Sequence, residues 1–148
     1  MKIRAIRLRE VGTFRDPVAI EGFSGMLDVL AGPNELGKST VLAALKRLFL
    51  FKPTSKHSLI EQLRPHGGGA PLIEADFEAH GRLWRLRKQF LTGRGTTELT
   101  DMMRNHVVER GPDAHAQALQ LVGLQEEDLG PLGLLWVGQT EGLVPRAV

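Results

Sequence analysis

The chain contains no cysteine. That excludes a disulfide framework and any thiolate metal site. No apolar run approaches membrane-spanning length, so no transmembrane helix and no membrane partner are expected. No signal peptide is expected either: Met1-Lys2-Ile3-Arg4 opens an alternating segment, and Arg7 and Arg9 interrupt any apolar stretch. The expected location is cytoplasmic. Charge of one sign is scarce. Nineteen Lys and Arg against 17 Asp and Glu leave a formal net charge of +2, although the pI is about 9.3. So small a basic excess permits contact with nucleic acid without requiring it. The five histidines, His57, His66, His80, His106 and His115, show no metal-ligand spacing and are expected at the surface. Aromatic residues make up only 5%, and Trp84 and Trp136 are expected in the core rather than as stacking platforms. There is no internal repeat and no low-complexity tract.

What is present suits one globular domain: 148 residues, 42% hydrophobic and 24% charged. Ile6 and Leu8 alternate with Arg7 and Arg9, as in a strand with one wet face. A turn at Gly12–Pro17 leads to a short strand at Val18–Ile20. Met26–Ala31 reads as a buried third strand. A helix is predicted from Lys38 to Phe51, with apolar Val41, Leu42, Leu45, Leu48 and Phe49 on one face, stopping before Pro53. Residues 52–71 read as a long loop in which Ser58–Arg64 forms one helical turn or two. A loop of that length is usually functional or mobile. Ile73, Ala75, Phe77 and Ala79 alternate with acids, turn at His80-Gly81, and return through Trp84 and Leu86, which predicts a hairpin. A strand follows near Thr96–Thr100, then a helix from Pro112 to Gly123 with Ala116, Leu119 and Val122 as its stripe. Leu134–Val137 reads as a buried strand ending at Gly138-Gln139-Thr140-Glu141.

The third strand and the helix after it frame Gly32-Pro33-Asn34-Glu35-Leu36-Gly37-Lys38-Ser39-Thr40, which fits G-x-x-x-x-G-K-[ST]. The strand-loop-helix context is the one this phosphate-binding pattern needs. Gly32 and Gly37 would let the backbone turn tightly and approach phosphate with no Cβ in the way. The amides of Leu36 to Thr40 would donate to a β-phosphate at the positive end of the helix. Lys38 would reach the β- and γ-phosphates and the Ser39 hydroxyl would ligate Mg²⁺, which makes ATP with Mg²⁺ the expected cofactor.

An Arg/Lys-rich first strand, a turn, a second strand, a loop of the form G-P-N-E-x-G-K-S-T, a wet hairpin and a strand ending in Gln-x-Glu occur here in that order. This resembles the amino-terminal half of an SMC-type ABC ATPase head. Within that superfamily it is most similar to SbcC-type double-strand-break repair ATPases and YhaN-like AAA-family proteins. The resemblance covers nearly the whole chain, and Asn34-Glu35 and Leu135-Trp136-Val137-x-Gln139 carry it beyond nucleotide-binding proteins in general. It implies an α/β P-loop NTPase fold, the amino-terminal lobe of the head, with a mixed or antiparallel β subdomain. It implies that Gln139, as the Q-loop of residues 139–141, completes the Mg²⁺ shell and senses the γ-phosphate, beside Lys38 as the other catalytic residue. Many relatives carry an arginine straight after the first strand, near the nucleotide base. Here Gly12 stands there, followed by Thr13, Phe14 and Arg15, so Arg15 is either a base or ribose contact or a solvated surface arginine.

The resemblance also implies parts that this sequence does not contain: a Walker B Asp-Glu pair, a signature motif and a switch histidine. Glu126-Glu127-Asp128 follows no apolar strand and reads as a solvated helix turn. The carboxy-terminal lobe and the coiled coil are therefore expected outside these 148 residues, in a fragment, a split gene product or a truncated one. The expected function is ATP binding in a DNA-repair or chromosome-maintenance ATPase. Hydrolysis would need the carboxy-terminal half and a second head in a homodimer. DNA and a nuclease subunit are the further expected partners, with a nucleoid-associated location. An ABC-transporter ATPase domain and a nucleotide- or DNA-binding module without turnover are the alternatives. Arg82, Arg85, Arg87, Lys88 and Arg94 read either as a phosphate-backbone contact or as a solvated face balanced by Glu74, Asp76 and Glu78.

Overall fold

The computed structural model describes residues 1–24, 37–55 and 58–123. The strand expected at 26–31, the acidic cluster Glu126–Asp128 and the strand Leu134–Val137 lie outside them. Among the described residues, alternation of apolar and polar residues makes six strands: β1 (Lys2–Arg9), β2 (Val18–Glu21), β3 (Leu72–Ala79), β4 (Arg82–Gln89), β5 (Thr96–Asp101) and β6 (His106–Arg110). They form one sheet in the order β2-β1-β3-β4-β5-β6, and every neighbouring pair is antiparallel.

Register puts the apolar set on one face. Ile6 lies opposite Ala75, Leu8 opposite Ile73, Leu86 opposite Ala75 and Leu99, and Trp84 opposite Phe77, and all are buried. A bulge in β1 between Ile3 and Ala5 lets Ile3 pair with Phe77 and Ile6 with Ala75. Without the extra residue the odd spacing would turn one isoleucine outward. The β3–β4 hairpin closes through His80 (φ 52°) and Gly81 (φ 71°), the two positive-φ residues that a tight hairpin turn needs. At the β5–β6 turn, the Asp101 carboxylate accepts the amides of Met103 (3.0 Å) and Arg104 (3.3 Å).

Two helices cover the apolar face. α1 (Lys38–Leu50) lies over β1, β3 and β4, and its Phe49 meets Phe77 edge to face at 5.4 Å. The helix ends one residue earlier than expected, with Phe51 extended as the C-cap. Leu42, placed on the buried stripe by its spacing, is 41% exposed, and Ala44 is buried instead. A four-residue helix, α2 (Ser58–Glu61), supplies the single turn within the long loop and buries Ile60. The last described helix, α3 (Pro112–Leu121), packs on β5, β6 and α1. Its expected stripe is displaced: Ala114, His115, Ala118 and Leu119 are buried, Ala116 is exposed and Val122 is only half-buried. The small residues Ala114 and Ala118, one turn apart, allow the close approach that larger residues would block.

Candidate nucleotide-binding site

The described part of the glycine-lysine motif forms the N-terminus of α1. Gly37 is the N-cap, in the left-handed region at φ 77° and ψ 26°, so its torsions suit glycine. Lys38 and Ser39 open the first turn, Lys38 half-buried and Ser39 exposed. No side chain caps this end and no acid occupies the first turn. An N-terminus that carries a lysine and no carboxylate suits an anion, since its leading amides already attract negative charge. Residues Gly32–Leu36 of the motif, and Gln139, lie outside the described residues.

The turn after β1 presses against this helix end. Val11 and Phe14 exchange backbone hydrogen bonds of 2.8 Å in both directions. A Cβ on Gly37 would come within 2.7 Å of the Phe14 ring and 2.9 Å of the Thr13 hydroxyl. A Cβ on Gly12 (φ 55°) would stand 2.7 Å from the Thr40 methyl. The second contact explains the glycine after the first strand: a longer side chain there would collide with the first turn of α1. The Gly12 amide is itself held by the Leu63 carbonyl at 2.8 Å.

Beside the helix end opens a cleft of about 460 Å³, lined by Gly12, Thr13, Arg15, Thr40 and the stretch Gln62 to His66 without Leu63. The loop reaches this cleft because Ile60 and Leu63 are buried beneath it and the Arg47 guanidinium of α1 donates to the Leu59 carbonyl (3.3 Å). At its far end the Glu10 carboxylate accepts the Ala70 amide at 2.9 Å. Arg15 is exposed, as a surface arginine would be, yet its guanidinium donates to the His66 carbonyl across the cleft. Gln62, Arg64 and His66 were not legible as site residues. Their only signal was the length of the loop that carries them.

The cations of the hairpin divide differently from a common basic face. Arg85 binds Asp76 twice, at 2.7 and 3.0 Å, and lies 3.3 Å from Glu74. Arg7 reaches Glu74 at 3.1 Å, Asp76 at 3.0 Å and Glu21 at 2.8 Å, while Arg4 pairs with Glu78 at 2.9 Å. Burial works to raise the Asp76 carboxyl, but the hydrogen bonds from Arg85 and Arg7 outweigh it and hold the group below the usual carboxylate range. Arg82 reaches Asp101 at 3.4 Å.

Lys88 is not on the wet face at all. It shares the inner face with Trp84 and Leu86 and is fully buried. Its ammonium donates to the carbonyls of Leu48 (2.5 Å) and Phe51 (2.9 Å) at the C-terminal end of α1 and lies 2.7 Å from His115 Nδ1 on α3. Burial lowers its pKa from 10.5 to about 7. His115, expected at the surface, is thus a core residue, while His66, His80 and His106 are exposed. Among the described residues no group of three His, Asp or Glu could hold a metal ion, and no helix is long and apolar enough to cross a membrane.

No curated protein matches the chain. Among solved structures, one from work on the structural biochemistry of ATP-driven dimerization and DNA-stimulated activation of SMC ATPases matches at a TM-score of 0.64 and 19% identity, over 95% of this chain and 88% of that one. The SMC head domain from Thermotoga maritima matches at a TM-score of 0.50 and 25% identity, over 74% of this chain, which spans only 39% of that domain. The fold is therefore that of an SMC-type ATPase head, a P-loop NTPase fold. A model of the AAA domain family matches residues 1–89, more than half of the sequence, and the chain belongs to that family.

Proposed function

We propose that this chain is the amino-terminal, ATP-Mg²⁺-binding lobe of an SMC-type ATPase head acting in DNA repair or chromosome maintenance. The observation that carries the reading is the start of α1, where Gly37, Lys38 and Ser39 follow the phosphate-loop pattern at a helix end without an acid or a side-chain cap. These residues fit a polyphosphate: glycine torsions at the cap, no Cβ in the approach, and a lysine in the first turn. The backbone of Gly32 to Thr40, with Pro33, Asn34, Glu35 and Leu36 between the glycines, would hold the phosphates. Lys38 would offset their charge, and Ser39 and Gln139 would hold Mg²⁺. The bound ion would supply charge stabilisation at the phosphoryl group. The adjacent cleft, with Arg15, Gln62, Arg64 and His66, is the natural place for base and ribose.

Binding and turnover separate in this reading. Groups that act as a unit in catalysis lose most of the rate enhancement when part of the unit is missing. Steady hydrolysis would need a carboxy-terminal lobe that activates water and a second head that closes over the γ-phosphate. ATP-driven dimerization and DNA stimulation, known for the SMC ATPases that share the fold, would then apply to this protein. A nuclease subunit and a cytoplasmic, nucleoid-associated location complete the proposal. The test is calorimetry with ATP-Mg²⁺ on the wild type and on Lys38→Ala. The wild type should bind and the variant should lose detectable binding. Equal affinity in the two would remove Gly32–Thr40 from the site.

A further inference from the structure

The phosphate loop lies at one end of α1, and an uncommon arrangement lies at the other. A helix of 13 residues separates its two ends by about 20 Å. At the far end sits the buried ammonium of Lys88, from the central strand β4. The groups that face it can be stated element by element. α1 presents the carbonyls of Leu48 and Phe51, and α3 presents the His115 ring. Ile73 on β3 and Thr97 on β5 are its cross-strand neighbours, and neither titrates. Among the described residues no carboxylate pairs with it, and its acidity is set by burial alone.

We propose that Lys88 and His115 form a buried positioning pair for the nucleotide site, clamping the C-terminal end of α1 and tying it to α3. The helix ends are linked because α1 is a rigid rod seated on the sheet at Phe49 and Phe77. Tilting its last turn therefore moves the first turn that carries Gly37 to Thr40. An ammonium has three donors, and here it meets three acceptors when His115 Nδ1 carries no proton. A cation at this place also offsets the negative pole of α1, just as a phosphate would offset the positive pole. Neutral Lys88 keeps two N–H groups for three acceptors and gives up the charge. One clamp carbonyl then loses its donor, and the helix end loosens. Among the described residues α3 is the last helix, and Gln139 follows it in sequence, so the same pair ties the phosphate-loop helix to the described element nearest in sequence to the proposed Q-loop.

This coupling presupposes the ATP site proposed above, and the test separates the two. The amide resonances of Gly37 to Thr40 in the nucleotide-free full chain should shift together across pH, with a midpoint near 7, the value for Lys88. ATP-Mg²⁺ affinity should fall on the order of fivefold between about pH 6.5 and about pH 8.5. Lys88→Met should abolish both pH dependences. His115→Asn keeps an acceptor close to the place of Nδ1, so it should retain them, whereas His115→Leu should not. A purely structural lysine would lower thermal stability when replaced and leave the affinity profile unchanged. That outcome, or amide signals that do not titrate in the wild type, overturns the proposal. If Lys88→Met fails to fold, the wild-type amide titration decides alone. A wild type that binds no ATP at any pH overturns the ATP reading, and the amide titration still shows whether the two ends of α1 are linked.

Discussion

Stability should rise with pH between neutrality and about pH 9, and Lys88 should be the reason. Its folded-state pKa is about 7 against 10.5 for a free lysine. Below pH 7 both folded and unfolded chains carry the proton, and the folded state bears the full cost of burying it. Between the two values the unfolded chain binds more protons, so raising the pH favours the folded state. Integrated from pH 7 to 9, the gain is about 2 kcal/mol. For a chain of this size that corresponds to a rise of about 4–8 °C in melting temperature. With no cysteine and no tyrosine there is neither thiol nor phenol to titrate in that window, so the α-amino group and the upper edge of the histidine range are what the Lys88 variant controls for. Urea unfolding followed by circular dichroism at pH 7, 8 and 9 measures the effect. Lys88→Met should flatten the profile, whatever its absolute stability, since methionine fills a similar volume without a titrating group. A flat wild-type profile, or an equal rise in the variant, would refute the assignment of a buried, charge-bearing Lys88.

Gly12→Val should destabilise the chain by about 1–3 kcal/mol, as overpacking and positive-φ strain combine at a site 2.7 Å from the Thr40 methyl; chemical denaturation reads it. Asp76→Asn should cost about 2–3 kcal/mol at neutral pH, discounted for the partial exposure of its two arginine partners. Because the Asp76 pKa is lowered, its stabilisation is present above the unfolded carboxylate value and lost as pH falls through the folded one. The wild type should therefore lose more stability on acidification than Asp76→Asn does, which denaturation midpoints at neutral and acid pH would show. Gln139→Ala should bind ATP within a few-fold of the wild type but with weaker Mg²⁺ dependence, because Ser39 would hold the ion directly; a metal titration with unchanged profile would remove Gln139 from the metal shell.

The elements legible in the sequence were those whose pattern and punctuation agree. β3 and the first half of β4 alternate and meet at His80-Gly81, so the hairpin and its turn could be read, although β4 ends at Gln89 and carries Lys88 on its inner face. α1 begins at a glycine-lysine motif and ends before Pro53. β6 could not be read. As an edge strand it buries neither face fully, so its five residues carry no clean alternation. The stripe of α3 was misplaced because spacing alone cannot say which of two overlapping rows faces the sheet. His115 and Lys88 were misread for a related reason. Residue type argues for the surface, and only position opposite Ile73 and Thr97 puts Lys88 inside. For the site, the motif marks the helix end, but the cleft beside it depends on a loop folding back over Ile60 and Leu63. No local pattern encodes that return.

Register also decides which hairpin cations are available to DNA. From composition, the hairpin offers five cations in a run without an acid between them. In three dimensions the strands on either side supply the acids. Arg85 and Arg7 share Glu74 and Asp76, Arg82 is directed at Asp101, and Lys88 is turned into the core. A guanidinium already bound to two carboxylates releases few counterions on meeting a phosphate, so it adds little to salt-dependent affinity. Of the five hairpin cations, Arg87 and Arg94 remain exposed with no ion pair among the described residues. Two such charges would account for a salt slope of about 2 at most. Around Arg7 and Arg85 the outer face is therefore better understood as a cluster of paired charges that keeps the wet side of a half-buried sheet satisfied. A DNA contact at this hairpin would therefore have little electrostatic support from its own cations.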